Sequence, residues 1–274
     1  MTQAVSPVQT TISRERARAI LARGTDCLDD LEVQKAFGIT LDPNDIPPIP
    51  FTDDEIVYAR QLGQFLVLFA DKNPAGQVLT MQGVDQICGG KLGDDPLLYD
   101  RGWYQGESFY TTDPIAPTPT WKLVGRDVIP GSTNKNYLDQ TQVIVDYLTS
   151  EVYAGEELPA PYQVAIDEFN ANKNRLAVLM GSDWQQSAKE LAALQVNQLF
   201  RLSPGELLYV IALYDKVNHE RLLEDTYSWT ASRYASGSLV IVGYAGASGA
   251  SVYGYGPRYS SGSLGVVFSR SGLV

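Results

Sequence analysis

Residues 229–270 read WTASRYASGSLVIVGYAGASGASVYGYGPRYSSGSLGVVFSR, and the meaning of this stretch decides the fold. From Thr230 to Val274 the chain contains no Asp, Glu, Lys, Asn, Gln, His, Met, Cys or Trp, while Gly, Ser, Tyr and Ala dominate. Such a composition fits either low-complexity chain or an irregular β-region with glycine at its turns. Apolar anchors recur at Leu239, Val240, Val242 and Val252, and again from Leu264 to Phe268. Short strands joined by glycine-bearing loops are therefore expected.

Working outward, the preceding segment reads as helical. Ser203-Pro204-Gly205-Glu206 carries a cap, proline at the first helical position and Glu at the third, which predicts a helix to about Lys216. Ser182-Asp183-Trp184-Gln185 reads as a capping box for another helix, to about Gln195. Helices are expected over 137–153 and 161–180, the latter with Ile166, Phe169, Leu176 and Met180 on one face. WKLVGRDV at 121–128 alternates as a strand does, and FLVLFA at 65–70 reads as a buried strand. Residues 86–120 are rich in turn formers. Thr52-Asp53-Asp54-Glu55 is a capping box for a helix to about Gln61. DPNDIPPIP at 42–50 is a stiff connector, because its prolines forbid helices and strand ladders. A short helix over 28–37 ends at Gly38. Ser13 caps one that stops at Gly24, and residues 1–12 form a flexible lead.

The 274 residues suffice for one large domain or two small ones, and 44% apolar with 19% charged residues is an ordinary globular mixture. A formal net charge of −11 repels nucleic acid and anionic lipid, so neither is expected as a partner. Cys27 and Cys88 lie far apart and outside any CxxC, which speaks against a disulfide framework or a metal site and for two free core thiols. Met1 to Thr11 has neither a basic run nor an apolar one, and no stretch near 18 residues is apolar throughout. Synthesis in the cytoplasm is expected, with any display at a surface or in a phage particle reached by another route.

The usual signs of catalysis are missing. His219 is the sole histidine, it follows a helix, and no G-x-S-x-G elbow accompanies it. Asp94-Asp95 reads as a solvated pair and Asp53-Asp54-Glu55 as a helix cap. No phosphate-binding glycine motif opens a helix. No catalytic residue, metal ligand or cofactor is expected.

One set of residues carries a family likeness. Trp229-Thr230-x-Ser232-Arg233, Gly237-x-Leu239-Val240-x-Val242-Gly243, Gly249, Val252, Pro257 and Leu264-Gly265-Val266-Val267-Phe268-Ser269-Arg270 form a frame. This frame resembles the C-terminal variable region of diversity-generating retroelement variable proteins. WKLVGRDVIPGSTNKNYLDQT and ERLLEDTYSWT resemble the same group, and the likeness is densest after residue 203. The resemblance implies an α+β, C-type lectin-like fold, with several helices on a small irregular antiparallel sheet, of the kind also seen in formylglycine-generating enzymes. It implies ligand binding by a hypervariable surface, the ligand being a protein, for instance on a target cell. It also implies that a reverse transcriptase rewrites the tail by mutating template adenines. Expected buried frame residues are Trp229, Leu239, Val242, Val252, Leu264, Val266 and Phe268, and Arg233 and Arg270 are expected to brace loop carbonyls.

Between the frame residues lie the candidate ligand-binding positions. They are Tyr234, Ala235, Ser236, Ser238, Ile241, Tyr244, Gly246, Ala247, Ser248, Ser251, Tyr253, Gly254, Tyr255, Gly256, Arg258, Tyr259, Ser261, Gly262 and Ser263. Replacing either adenine of an AAC codon gives NNC codons, which never encode Glu, Lys, Gln, Met or Trp. Every residue in the set has an NNC codon. Members of the family often keep Asn or Asp at such sites, and this tail has none. Tyrosine supplies rigid amphipathic contact area, and serine and glycine supply adaptable hydrogen bonding and room. Residues 1–60 are read as an N-terminal helical segment with its connector, packed on the domain or mediating attachment, and 61–274 as the ligand-binding domain. Two other functions stay open: an enzyme of the formylglycine-generating type of fold, disfavoured because no Cys follows Cys88, and a structural virion or surface subunit. Calcium-dependent sugar binding in the tail lacks its Asn, Asp and Glu ligands.

Overall fold

The computed structural model describes residues 12–21 and 25–272, so the lead before Ile12 and the stop at Gly24 lie outside the described residues. Helix α1 (Arg14–Ile20) starts on Ser13, whose hydroxyl accepts from the Arg16 amide. Strand β1 (Cys27–Leu28) claims Leu28 from the helix expected there, because Asp29 is the residue that caps α2 (Asp30–Phe37). Helix α3 (Asp53–Gln61) opens with both halves of the Thr52–Glu55 box, and β2 (Gln64–Phe69) follows, buried along its length. Next come α4 (Met81–Ile87), the short strands β3 (Lys91–Leu92) and β4 (Asp95–Pro96), α5 (Ser108–Thr111) and β5 (Thr120–Val128).

Helix α6 (Tyr137–Tyr147) passes directly into a π-helical turn, Leu148–Val152. Then follow α7 (Ala160–Ser182), α8 (Trp184–Ala193), α9 (Gln195–Phe200) and α10 (Pro204–Asn218). The tail forms β6 (Tyr227–Arg233), β7 (Leu239–Gly243), β8 (Ser251–Tyr255), β9 (Leu264–Gly265) and β10 (Val267–Ser271). The protein is thus mixed α+β with small mixed sheets.

One sheet has the order β1-β2-β5-β10, with β1 parallel to β2 and the remaining pairs antiparallel. A second, built wholly from the tail, has the order β8-β7-β6-β9, with β9 parallel to β6. The last strand therefore leaves the tail sheet and closes the first one. Burial explains the continuous apolar run LVIV. Val240 and Val242 point into one core with Val252 and the α10 face, and Leu239 and Ile241 point into another with Trp229 and helices α6 to α9. A strand buried on both faces need not alternate.

Helix α10 is the central post. It is buried from Pro204 through Tyr214, and its Tyr209 hydroxyl donates to the Leu68 carbonyl at 2.9 Å. A third core joins α1 and α3 to the opposite face of the first sheet, where Leu66, Leu68, Trp121 and Leu123 point. The Trp121 indole N–H donates to the Pro47 carbonyl at 2.9 Å, which fastens the proline-rich connector onto β5. Each large side chain buried in these cores contributes about 1.5–3 kcal/mol. Trp229, Leu239, Val242, Val252, Leu264, Val266 and Phe268 are all at most 2% exposed, so the apolar frame of the tail is core.

Candidate binding face

Three loops of the tail surround β8, the outer strand of its sheet. The β6–β7 and β8–β9 loops meet at one end of β8, and the β7–β8 loop lies at the other. In each, the anchoring hydrogen bonds reach the main chain of the tail. Glu107 Oε2 accepts from the Ala235 amide at 2.8 Å, and Gln185 Nε2 donates to the Ser236 carbonyl at 3.0 Å. The Asn134 and Tyr137 amides donate to the carbonyls of Ser261 and Pro257, at 2.9 and 3.0 Å. The Tyr244 and Ala245 amides donate to the carbonyls of Thr226 and Leu223, and the Tyr99 amide to that of Ala250. Gly249 takes φ +87° under the 96–99 segment, where an added Cβ would sit 2.7 Å from the Pro96 carbonyl oxygen. That frame position admits only glycine.

The candidate positions divide by exposure. Ala235, Ser236, Tyr244, Ala247, Ser248, Arg258, Tyr259 and Gly262 are exposed. Ser238, Gly246, Tyr253, Gly254, Tyr255, Gly256, Ser261 and Ser263 are half-buried along β8 and its flanking loops. Three positions are corrected. Ile241 is 2% exposed because β7 is covered on both faces, Ser251 is 9% exposed at the start of β8, and Tyr234 is 6% exposed. The Tyr234 ring fills the space that glycine leaves at position 254, packs edge-on against Phe109 and stacks on Trp103. None of the three is a displayed side chain.

Aromatic rings link these positions into a strip. Tyr244 stacks on Tyr227 with centroids 5.0 Å apart, Tyr227 meets Tyr253 edge-on, and Trp103 lies against both Tyr253 and Tyr234 at 5.7 and 4.9 Å. At the far end Tyr255 and Tyr259 stack at 4.0 Å. Burial raises the phenol pKa of Tyr234 first of all, with neighbouring Tyr104 adding to it, and burial likewise raises Tyr227 and Tyr255. These rings therefore stay neutral at ordinary pH. The hydroxyls of Tyr234 and Tyr104 are buried without a hydrogen-bond partner among the described residues.

Trp103, Glu107, Trp184 and Gln185 contribute to the face from outside the tail. Trp103 sits in a turn-rich segment that carries no periodic signal. Trp184 and Gln185 read only as helix-start residues, and the cap itself is Asp183, because α7 runs on to Ser182. The roles expected for the two frame arginines change. Arg270 is buried and pairs with Glu55 at 2.8 Å beside the Tyr153 hydroxyl, so it ties β10 to α3 rather than bracing the loops. Arg233 is half-buried, and its guanidinium makes no hydrogen bond or ion pair to any described residue. His219 closes α10 in the left-handed conformation, exposed. Among the described residues no group of three or more His, Cys, Asp or Glu is placed to hold a metal ion, and no helix is long and apolar enough to cross a membrane. No family model, curated protein or solved structure matches this chain.

Proposed function

We propose that the protein binds a protein ligand through the outward side chains of residues 235–263, as the variable protein of a diversity-generating retroelement built on a C-type lectin-like scaffold. One observation carries the reading: the three loops are held by their main chains. Glu107, Gln185 and the amides of Asn134 and Tyr137 hydrogen-bond to main-chain atoms of the loops rather than to the side chains that would be rewritten. An anchor of this kind survives a change of side chain, and a display surface needs that independence. The exposed Tyr244 and Tyr259, together with constant Trp103, offer aromatic area of the kind that dominates protein interfaces. An interface of standard size takes about 800 Å² from each partner.

Two measurements test the reading. Sequencing the DNA on either side of the gene is expected to find a reverse transcriptase gene and a near-copy of the 3′ end that differs at adenines. A library carrying NNC codons at the exposed candidate positions, displayed and selected against a purified protein such as lysozyme, is expected to yield binders whose changes lie only there. Absence of both the repeat and any binder overturns the proposal.

A further inference from the structure

The arginines divide sharply by location. Arg14, Arg16, Arg18, Arg101, Arg126, Arg175, Arg221 and Arg270 each pair with a carboxylate. Arg60 donates to the Ile20 carbonyl, and buried Arg201 to Asn197 and the Tyr137 carbonyl. Among the described arginines, only the guanidinium groups of Arg233 and Arg258 have no hydrogen-bond or ion-pair partner. Both belong to the tail, which has no carboxylate side chain, in a chain of net charge −11. An acidic protein that leaves these two guanidinium groups unpaired has a local surface opposite in sign to its overall charge.

They flank a cleft. A cavity of about 440 Å³ opens between the start of α8 and the β8–β9 loop, lined by Met180, Trp184, Tyr255, Pro257, Arg258 and Tyr259. Its walls are mostly apolar carbon. Trp184 is 41% exposed there, and Tyr259 stacks face to face on Tyr255. Arg258 stands exposed on the lip. Arg233 is paired in register with Leu239, and Leu239 with Tyr255, so its backbone lies two strand spacings from the tyrosine pair, roughly 10 Å. The neighbouring acids are Asp183, one of whose oxygens caps α8 by accepting from Gln186, and Glu107, one of whose oxygens accepts from the Ala235 amide. One side of the cleft comes from the junction of α7 and α8 and the other from the tail.

We propose that this cleft is the anchor subsite of the binding face, and that its occupant is an aromatic or aliphatic side chain from an acidic segment of a protein. The apolar side chain enters between Trp184 and the Tyr255–Tyr259 pair, and carboxylates beside it meet Arg258 and Arg233. This rests on the reading of the tail as a binding face. The buried ring supplies affinity by leaving water, and a guanidinium can hold a carboxylate with two parallel hydrogen bonds. Charge complementarity at the rim sets which segments are accepted. Aromatic walls also attract cations, so the competing occupant is a basic side chain, and charge separates the two.

The test uses the full ¹⁵N-labelled chain and three probes: indole-3-propionate, tryptamine and propionate. The four indole N–H signals are distinguished with the W184F variant. Indole-3-propionate is expected to move the Trp184 indole and the amides of residues 255–259 saturably, on the order of millimolar Kd for so small a ligand. Tryptamine and propionate are each expected to bind at least fivefold more weakly. R258A and R233A, in side chains without partners, are expected to weaken indole-3-propionate about three- to tenfold and to leave the spectrum elsewhere unchanged. Equal or tighter binding of tryptamine, equal binding of propionate, or shifts centred on another surface would each overturn the proposal. A template repeat beside the gene would leave the display reading standing even then.

Discussion

At the scale of the residue, the informative positions are those whose charge is held where water is scarce. Asp29 is 1% exposed, caps α2 by accepting from the Leu31 amide, and shares the Arg18 guanidinium with Glu32. Burial, and then hydrogen bonding and charge from Asp29, push the Glu32 carboxyl up to about 7 from an ordinary 4.5, and Arg18 offsets only part of this. The folded protein therefore binds a proton at Glu32 that the unfolded chain releases. That contribution to stability is complete below the ordinary carboxylate pKa and disappears as pH rises through the folded value. Urea midpoints measured at pH 4.5 and pH 7.5 are expected to fall further for the native chain than for E32Q, in which the titrating group is gone. Parallel profiles for the two proteins would refute the assignment. Cys27, in the same neighbourhood, is pushed up to about 12 by burial, so it is a packing residue, as a cysteine outside any CxxC should be.

At the scale of the element, what was legible was what is local. The capping boxes at Thr52 and Ser203 form as read, because donor and acceptor sit three residues apart on one chain. The strand at 64–69 and the apolar frame of the tail were likewise visible as unbroken or recurring apolar positions. Helix α4 was not, since Gly83 and the polar residues around it break the 3.6-residue pattern. The π-helical turn after α6 was not, because nothing in LTSEV distinguishes it from another α-helical turn. Nor was the burial of Tyr234, which depends on Gly254 across the sheet and on Trp103 and Phe109 from a segment more than a hundred residues earlier. A Cβ at position 254 would lie 2.5 Å from two ring carbons of Tyr234, and 3.2 Å from the Ser238 Cβ. G254A is therefore expected to destabilise by about 1–3 kcal/mol, through overpacking. Once Y234A has emptied the space, the same change should cost about 1–2 kcal/mol less, a coupling that a double-mutant cycle in urea measures. Additivity within about 0.5 kcal/mol would mean that the ring moves aside freely. If the coupling holds, positions 234 and 254 cannot both carry large side chains.

At the scale of the whole molecule, the tail sheet is a middle layer. Helix α10 and its core cover one face, α6 to α9 cover the other, and β10 fastens the end of the chain into the first sheet. This arrangement was not readable from the sequence, because it depends on pairings as distant as Ser271 with Lys122. It separates two populations of tail residue that composition alone does not. Ile241 can be encoded by an NNC codon as its exposed neighbours can, yet it packs against Trp229 and the helical layer. Changing it to serine removes buried carbon and leaves a hydroxyl inside, at a cost of about 2–5 kcal/mol. Ala235, Ser236, Ala247, Ser248, Arg258, Tyr259 and Gly262 are exposed, and surface changes each fall within about 0.5 kcal/mol in either direction. Replacing all of these together with other NNC-encoded residues should therefore lower unfolding free energy less than I241S does alone. Guanidinium unfolding of several such multiple variants beside I241S decides the matter. If the multiple variants prove the less stable, the loops need their own side chains to stay folded, and a scaffold of that kind could not carry an interchangeable surface.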